Sequence, residues 1–351
     1  MGSGKTTAIS NACRILSGDG VSPAVIANDQ GKYLVDSRYF HSLGIPGTEV
    51  TGGCFCCNYN ELDAAICKLA ESENPSVIFA EAVGSCTDLV ATVVKPLMKY
   101  NHSGFEEITF STFVDGRLLI TFLKNGDLPF DPNTTYIWQK QIEESSILVV
   151  NKADLIAPDE MAFLKARVPE YFSDKIVLFQ DSTNDQSVRK WLQVLPQHPA
   201  NIYGKSLEVD YNRYGAGEAN LAWLDESVEF FTSDGSAQKV ARAFMVAFTH
   251  SIASRQIPVG HLKFMLHNNV EAYKFSYTSI DDPIDPEMYV GHPSDHVTLV
   301  VNARIQSSPD LVRRTVSQVL NTLRLQHPVN ITESNVSFFA PSFPRPTYRL
   351  G

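Results

Sequence analysis

Short apolar runs alternate with helical patterns through residues 1–195, and this alternation constrains the fold more than any other feature of the 351-residue chain. The runs are rich in β-branched or aromatic residues and end in polar residues or glycine: SPAVIAND, PSVIFAEAVG, EITFSTFVDG, SSILVVNKAD and DKIVLFQDS. Helix-like stretches such as ELDAAICKLAES and DEMAFLKARVPEYF lie between them. Buried strands that alternate with helices predict an α/β fold with a mostly parallel sheet, which binds ligands at the carboxyl ends of its strands.

The pattern changes after residue 195. Residues 196–225 are rich in Pro, Gly, Asn and Tyr and only weakly periodic, which indicates a linker. Residues 226–351 then read strand, helix, two strands, strand, helix, strand. This order predicts a smaller α+β domain with helices on one face of its sheet.

Charge and cysteine content exclude several classes of protein. The net charge of −10 argues against nucleic-acid binding, which needs a concentrated basic face. No apolar run approaches the ~20 residues of a membrane span, and MGSGKTTAIS lacks the apolar core of a secretion signal. All six cysteines lie in the first quarter of the chain, which favours metal or thiol chemistry in a reducing compartment over a disulfide framework. We expect a cytoplasmic protein with no nucleic-acid or membrane partner.

The stretch GSGKTT matches the end of the phosphate-binding pattern G-x-x-x-x-G-K-[ST]. In such loops, backbone N–H groups and a helix N-terminus hold phosphate oxygens, the lysine reaches the β- and γ-phosphates, and the next hydroxyl binds Mg²⁺. The candidate nucleotide-binding residues are Gly2, Ser3, Gly4, Lys5, Thr6 and Thr7, with Thr6 as the Mg²⁺ ligand. Because the first glycine of the pattern has no counterpart ahead of Lys5, we expect the first strand and the start of the loop to be missing from this sequence. A flexible Gly/Ser terminus is the alternative interpretation.

The stretch VVNKADLI supplies an N-K-x-D pattern as Asn151, Lys152 and Asp154. A carboxylate at Asp154 can accept hydrogen bonds from the N1–H and exocyclic amine of guanine, whereas adenine offers no matching donors. The pattern therefore favours GTP over ATP. A polar strand end, with Asp154 as a helix cap, is the alternative.

Two further acidic strand ends are candidate switch segments. In FAEAVGS, Glu81 ends a strand, and Gly84 can bring its N–H close to a γ-phosphate while the acid faces Mg²⁺. In IANDQGKYLVDSRYF, Asp29 also ends a strand. At one edge of a parallel sheet, these residues indicate loops that sense the third phosphate, although each could be only a solvated strand end. Lys5 and Glu81 are the candidate catalytic residues.

The stretch GGCFCCN puts Cys54, Cys56 and Cys57 within four positions. In an extended strand Cys57 would point away from the other two, so three thiolates on one ion require a turn, which the two preceding glycines favour. Zn²⁺ prefers four tetrahedral ligands, and the fourth could be Glu49, water or a residue of a client protein. Such an open site suits metal transfer. Thiolates favour Zn²⁺ or Cu⁺, with Co²⁺ and Ni²⁺ as alternatives.

Other interpretations of the cysteines are a redox pair or an inert buried cluster. Cys86 follows Gly84 in VGSCTD. It could face the nucleotide or join the metal site, but we expect a core position.

Taken in order, GSGKTT, GGCFCCN, EAVGS and NKAD resemble the CobW-type metallochaperone GTPases, relatives of the nickel-insertion GTPases for hydrogenase and urease. The resemblance covers about residues 1–195 and is sharpest at C-x-C-C. It implies a P-loop NTPase-like domain in residues 1–195, a linker in 196–225 and a C-terminal α+β domain in 226–351.

The resemblance also implies roles for individual residues. Lys5 and Thr6 match the phosphate and Mg²⁺ residues, Glu81 and Gly84 match the second switch, and Asn151, Lys152 and Asp154 match the guanine reader. Cys54, Cys56 and Cys57 match the metal-binding cysteines, with Glu49 at the position of an upstream acid. Asp29 matches the acid of the first switch, which in the family usually reads Asn-Glu-x-Gly-Glu, but Lys32 replaces the second acid here.

The function that the resemblance implies is a GTP-hydrolysing metallochaperone that uses GTP and Mg²⁺ and delivers Zn²⁺ (or Co²⁺) to a metal-dependent client protein. One alternative is a GTPase chaperone that loads or repairs a corrinoid-dependent client enzyme. Another is a catalytically inactive, zinc-binding adaptor. A homodimer is compatible with each of them.

Overall fold

The computed structural model describes residues 2–31, 35–100, 102, 104–201, 203–268, 272–278 and 292–351, apart from the side chains of residues 37 and 38. No helix in this part of the chain has both the length and the apolar character that a membrane crossing requires.

The described part of the chain forms α-helices and β-strands, which alternate through most of its first half. The helices are Lys5–Gly18 (α1), Val35–Ser42 (α2), Tyr59–Glu73 (α3), Lys95–Tyr100 (α4), Gly116–Asn125 (α5), Pro132–Glu144 (α6), Pro158–Tyr171 (α7), Asp185–Val194 (α8), Tyr211–Ala219 (α9), Ala237–Ala253 (α10) and Pro309–Gln326 (α11). The strands are Pro23–Asn28 (β1), Gly47–Val50 (β2), Val77–Glu81 (β3), Ser111–Asp115 (β4), Ile147–Asn151 (β5), Ile176–Gln180 (β6), Leu221–Phe231 (β7), Val259–His267 (β8), Ala272–Tyr277 (β9), His296–Gln306 (β10) and Asn330–Phe339 (β11).

The N-terminal strands form two parallel ladders, in the orders β2-β1-β3 and β4-β5-β6. The middle strands, β1 and β5, are buried along their whole length because PAVIAN and ILVVN have apolar residues on both faces. Helix α1 joins the two ladders, since its Ala8 and Ala12 pack in one core with Val25 of β1 and Val149 of β5. The predicted α/β fold with parallel strands and flanking helices is confirmed.

The C-terminal strands form one antiparallel sheet in the order β11-β7-β10-β8-β9, and this confirms the predicted second architecture. Side chains alternate along β7: Ala222 and Leu224 pack in the core that includes α10 and α11. Leu221 and Trp223 pack with residues of the N-terminal fold. Both faces of this sheet are therefore covered, one by its own helices and the other by the parallel part of the molecule.

The expected linker contains helix α9 and the first residues of β7. Asp210 caps α9 by accepting hydrogen bonds from the N–H groups of Asn212 and Arg213. A Cβ at Gly217 would lie 2.5 Å from the carbonyl oxygen of Asn133, so the glycine lets α9 pack closely on α6. The glycine content of this segment suggested a loop, but Gly217 instead allows two helices to pack closely. The domain boundaries themselves stay predictions.

Glu226 is a buried carboxyl on β7. Burial, reinforced by the nearby Glu333 carboxylate, raises the pKa of Glu226 to about 8.

We expect Glu226→Gln to flatten the pH dependence of the free energy of unfolding. The folded chain keeps the Glu226 proton up to about pH 8, whereas the unfolded carboxyl loses its proton at pH ~4. Because the folded state binds the extra proton, the stability falls as the pH rises through this window, by up to roughly 1.4 kcal/mol per pH unit. Urea unfolding across the window measures the slope, with Glu229→Gln on the same strand as the control. Identical slopes for Glu226→Gln and the wild type would contradict this account.

Candidate nucleotide and metal site

The phosphate-loop residues lie at the head of α1, against the end of β5. Gly4 caps the helix with a φ of 81°, and a Cβ there would lie 2.5 Å from Asn151 Nδ2, so only glycine fits. Asn151 Nδ2 donates to the carbonyl oxygen of Ser3 at 2.7 Å, and its Oδ1 accepts from Ser182 Oγ at 2.7 Å. The amide of Asn151 therefore connects two sequence motifs that lie about 150 residues apart. Thr7 is exposed on the first turn of α1.

Thr6 and Glu81 meet below this loop. Thr6 Oγ1 donates to Glu81 Oε1 at 2.9 Å, and both side chains are buried. The second oxygen, Oε2, has no hydrogen-bond partner among the described residues. Burial raises the pKa of Glu81 and lowers that of the neighbouring Lys5. A hydroxyl beside a carboxylate with an unused oxygen is a donor set that fits Mg²⁺, which prefers oxygen ligands.

Lys152 and Asp154 follow β5 at the same edge of the sheet. Lys152 has a φ of 60°, and its ammonium group pairs with Asp115 Oδ2 at 3.0 Å. Asp154 lies in the short 3₁₀ turn Ala153–Leu155, and its side chain is exposed. The structure thus brings the predicted base-reading residues and the phosphate loop to one edge, where Asp154 is accessible to a ligand.

The first candidate switch packs against the C-terminal sheet. Asp29 forms an ion pair with the buried Arg304 of β10. A Cβ at Gly31 would lie 1.7 Å from Asp225 Oδ2 of β7, so the switch backbone touches the sheet directly. The N–H of Val35 donates to Asn302 Oδ1 at 2.7 Å. Lys32, where the family has a second acid, lies outside the described residues.

Asp36 is held by two lysines of the same sheet. It pairs with Lys263 of β8, and its Oδ1 lies 2.9 Å from Lys274 Nζ of β9. Burial alone would raise the pKa of Asp36, but the two ammonium groups hold that pKa well below its usual range. The positive charge of Lys263 also acts to lower the pKa of Lys5 and that of Glu81. The second domain therefore contributes positive charge beside the phosphate loop.

The cysteine loop is held by hydrogen bonds to the side chain of Asn28, the last residue of β1. Asn28 Nδ2 donates to the carbonyl oxygens of Val50 at 3.0 Å and Gly53 at 2.8 Å, and Asn28 Oδ1 accepts from the N–H of Phe55 at 2.9 Å. Gly52 has a φ of 75°, which favours glycine. One side-chain amide thus fixes both ends of the turn that carries the thiols.

Three thiols converge in this turn. The backbone turns at Cys54, whose carbonyl oxygen accepts from the N–H of Cys57 at 3.0 Å. The sulfur atoms of Cys54, Cys56 and Cys57 all lie within 4.8 Å of one another, with 2.8 Å between the first two and 3.8 Å between the last two. Sulfurs bound to one tetrahedral zinc at ~2.3 Å lie roughly 3.8 Å apart, which the Cys56–Cys57 distance matches, whereas the sulfurs of Cys54 and Cys56 would have to separate to bind one ion. Glu49 of β2 is exposed and lies outside this group of close ligand atoms.

The three thiols differ in their pKa values. The hydrogen bond with the thiol of Cys56 lowers the pKa of Cys54 far below its usual range. The same interaction with Cys54 raises the pKa of Cys56, and it raises the pKa of Cys57 to about 11. Cys54 is therefore the first to become a thiolate, and a bound cation would replace the remaining thiol protons.

The C-terminal segment 340–351 lies across the cysteine loop. Thr347 donates from its N–H to the carbonyl oxygen of Cys56 at 2.8 Å and from its hydroxyl to that of Cys57 at 2.9 Å. Arg349 Nε donates to Asp88 Oδ2 at 2.7 Å. The segment is thereby hydrogen-bonded to the backbone of the turn that carries the thiols.

Sequence reasoning missed the contribution of the second domain. Asn302 and Arg304 alternate with apolar residues in VVNARI, and they share one face of β10 with their cross-strand neighbours Lys263 and His261 of β8. A polar strip inside otherwise apolar strands was the signal that could have indicated a buried charged contact.

The chain is related to a known protein family. A model of the family described as CobW/HypB/UreG, nucleotide-binding domain, matches residues 1–178. The chain belongs to the CobW/HypB/UreG family. Proteins of this family are generally GTPases that act with client metalloenzymes. No curated protein matches this CobW/HypB/UreG chain.

Solved structures similar to this family member include two HypB proteins. HypB from Helicobacter pylori in complex with nickel has 15% sequence identity and a TM-score of 0.38, covering 56% of this chain and 82% of that chain. The hydrogenase maturation factor HypB from Archaeoglobus fulgidus has 15% identity and a TM-score of 0.36, covering 56% of this chain and 84% of that chain.

We expect Thr347→Ala/Arg349→Ala to make Cys54, Cys56 and Cys57 more reactive. The double variant removes the side-chain hydrogen bonds from Thr347 to Cys57 and from Arg349 to Asp88 and Leu207, at ~1 kcal/mol each, so alkylation of these thiols should accelerate by about tenfold or more. Mass spectrometry of iodoacetamide-treated protein measures the rate at each cysteine. Thr322→Ala/Arg324→Ala, on the exposed face of α11, is the matched control. Unchanged alkylation rates would show that the segment does not cover the site.

Proposed function

We propose that the chain is a GTP-hydrolysing metallochaperone that binds a transition metal at Cys54, Cys56 and Cys57 and delivers it to a client protein. The observation that carries the proposal is the position of Asn28, which holds the cysteine loop and directly precedes Asp29. Movement of this strand end on nucleotide exchange would reach the thiols. Thiolates favour Zn²⁺ as the cargo, with Co²⁺ as the alternative.

The nucleotide would bind at the head of α1. Backbone N–H groups of the loop and Lys5 would contact the phosphates, and Asp154 would accept hydrogen bonds from guanine. Thr6 and Glu81 would hold Mg²⁺, which supplies positive charge against the phosphates. Hydrolysis then relies on positioning and charge neutralisation by residues such as Lys5.

The state of the cysteines supports a reducing location, and we propose the cytoplasm. All six are free thiols, and a thiol cargo site must stay reduced to bind metal. The client we propose is a metal-dependent enzyme.

We expect anaerobic GTP hydrolysis by the full chain to change severalfold when one equivalent of Zn²⁺ is added. Metal bound at the turn fixes the loop that Asn28 connects to the first switch, so the rate should respond. Cys56→Ser/Cys57→Ser should lose the response, whereas Cys67→Ser on α3 should keep it. A zinc response that persists without the two thiols would contradict the assigned metal site.

Two other outcomes point to the alternative functions. GTP turnover with no metal bound would favour a chaperone of a corrinoid-dependent enzyme. Zinc binding without GTP binding would favour an inactive adaptor.

We expect Asp154→Asn to exchange GTP for xanthosine triphosphate as the preferred nucleotide. An amide can donate to the 2-oxo group of xanthine, where the carboxylate accepts from the 2-amino group of guanine. Competition binding with a fluorescent nucleotide analogue measures the preference, which should shift by about tenfold or more. Asp159→Asn on α7 is the control, and an unchanged preference in Asp154→Asn would remove Asp154 from the base site.

A further inference from the structure

The phosphate loop touches the antiparallel sheet of the second domain. A Cβ at Gly2 would lie 2.9 Å from the carbonyl oxygen of Gly260 on β8, and closer still to Cγ2 of Thr278, which follows β9. Gly2 also has a φ of 60°, a backbone conformation that favours glycine. Strand β8 therefore begins beside the residues that are predicted to hold phosphates.

Lys263 lies three residues further along β8 than Gly260, on the face of the sheet that meets the first candidate switch. Its cross-strand neighbour Asn302 accepts a hydrogen bond from the N–H of Val35 on that face. The ammonium group of Lys263 itself pairs with Asp36. Lys263 is therefore enclosed between the sheet and the switch, on the strand that starts at the phosphate loop.

Asp36 has two ammonium partners, so one of them can leave without stranding a buried carboxylate. Asp36 Oδ1 lies 2.9 Å from Lys274 Nζ, while Oδ2 pairs with Lys263. An unpaired buried charge is costly, and the pair that remains avoids this cost. The two lysines are not equivalent, because Lys274 lies opposite Met265, two residues further than Lys263 from Gly260, at ~3.3 Å per residue. Lys263 is the lysine nearer to the phosphate loop along the sheet.

Buried polar atoms at the same contact lack partners. Ser3 of the loop is 2% exposed and His261 of β8 is 8% exposed. Among the described residues, neither Ser3 Oγ nor His261 Nε2 has a hydrogen-bond partner. His261 shares its face of β8 with Lys263, since side chains alternate along a strand. Because buried polar atoms are nearly always hydrogen-bonded, these two atoms point to a polar ligand between the loop and β8.

We propose that Lys263 contacts the terminal phosphate of GTP and leaves Asp36 to do so. This proposal rests on the proposed function and adds to its nucleotide site a residue that distinguishes GTP from GDP. With GTP bound, Lys263 pairs with the terminal phosphate while Lys274 keeps Asp36 paired. When that phosphate is released after hydrolysis, Lys263 returns to Asp36. The second domain thereby reads the state of the nucleotide.

The affinities of the full chain for a non-hydrolysable GTP analogue and for GDP, both with Mg²⁺, test the proposal by competition with a fluorescent nucleotide. We expect Lys263→Gln to weaken binding of the analogue by about tenfold or more and binding of GDP by less than about twofold, because only the analogue has the terminal phosphate. Lys274→Gln removes the other ammonium partner of Asp36 and is the matched control. It should change both affinities by the same factor.

Asp36→Asn should act in the opposite direction. It removes the carboxylate that competes for Lys263, so the GTP analogue should bind severalfold more tightly. Weaker binding of the analogue to folded Asp36→Asn protein, with GDP affinity unchanged, would contradict the exchange of partners.

A further measurement uses the wild-type chain and does not depend on whether a variant folds. A GTP derivative that carries an acyl group on its terminal phosphate acylates nearby lysines. The amine attacks the acyl carbon, an amide forms, GTP leaves, and the proton of the amine passes to solvent. Mass spectrometry should find the acyl group on Lys263 in preference to Lys274.

Labelling of Lys274 ahead of Lys263 would overturn the proposal, as would equal losses of analogue and GDP affinity in a folded Lys263→Gln protein. If the wild type hydrolysed GTP and either of these results were found, only the role of Lys263 would fail. If the wild type bound neither nucleotide, the proposed function would fail as well.

Discussion

The side-chain amide of Asn28 is the contact on which the arrangement of the site depends. Its nitrogen donates to two carbonyl oxygens of the cysteine loop, and its oxygen accepts a backbone N–H from the same loop. The amide is buried, so without it the carbonyl oxygen of Gly53 and the N–H of Phe55 would lose this partner, at roughly 1–3 kcal/mol for each unsatisfied group. The carbonyl oxygen of Val50 would keep the N–H of Asp29 as its partner. Because Asn28 ends β1 and Asp29 follows it, the thiols are attached to the start of the first switch.

The second domain supplies the positively charged partners of the acidic residues in that candidate switch. Asp29 pairs with Arg304, and Asp36 pairs with Lys263 and Lys274, all from the antiparallel sheet. Buried charges are stable only when they are paired, so these contacts fix the switch against the sheet. A bound nucleotide brings phosphate charge close to the same lysines and would compete with Asp36 for them. The second domain would therefore take part in the proposed nucleotide site.

Local sequence patterns predicted the strands of the parallel fold because their apolar runs are buried on both faces, as in ILVVN of β5. The N-K-x-D and GSGKTT patterns could be recognised because each is a short continuous stretch of sequence. In the structure, Asn151 of the first pattern contacts Ser3 of the second. The pairing of Asp29 with Arg304 could not be predicted, since 275 residues separate them and nothing local sets the docking of the two sheets. Cys86 was expected in the core because it follows a buried strand, and its side chain is buried in the structure.

The central claim is that nucleotide state and metal affinity are linked through the end of β1. The most direct test is the zinc dissociation constant of the full chain with a non-hydrolysable GTP analogue and with GDP. We predict a difference of about fivefold or more, the same factor in the analogue's affinity with and without zinc, and loss of both in Asn28→Ala. Equal zinc affinities in the two nucleotide states of the wild type would contradict the account.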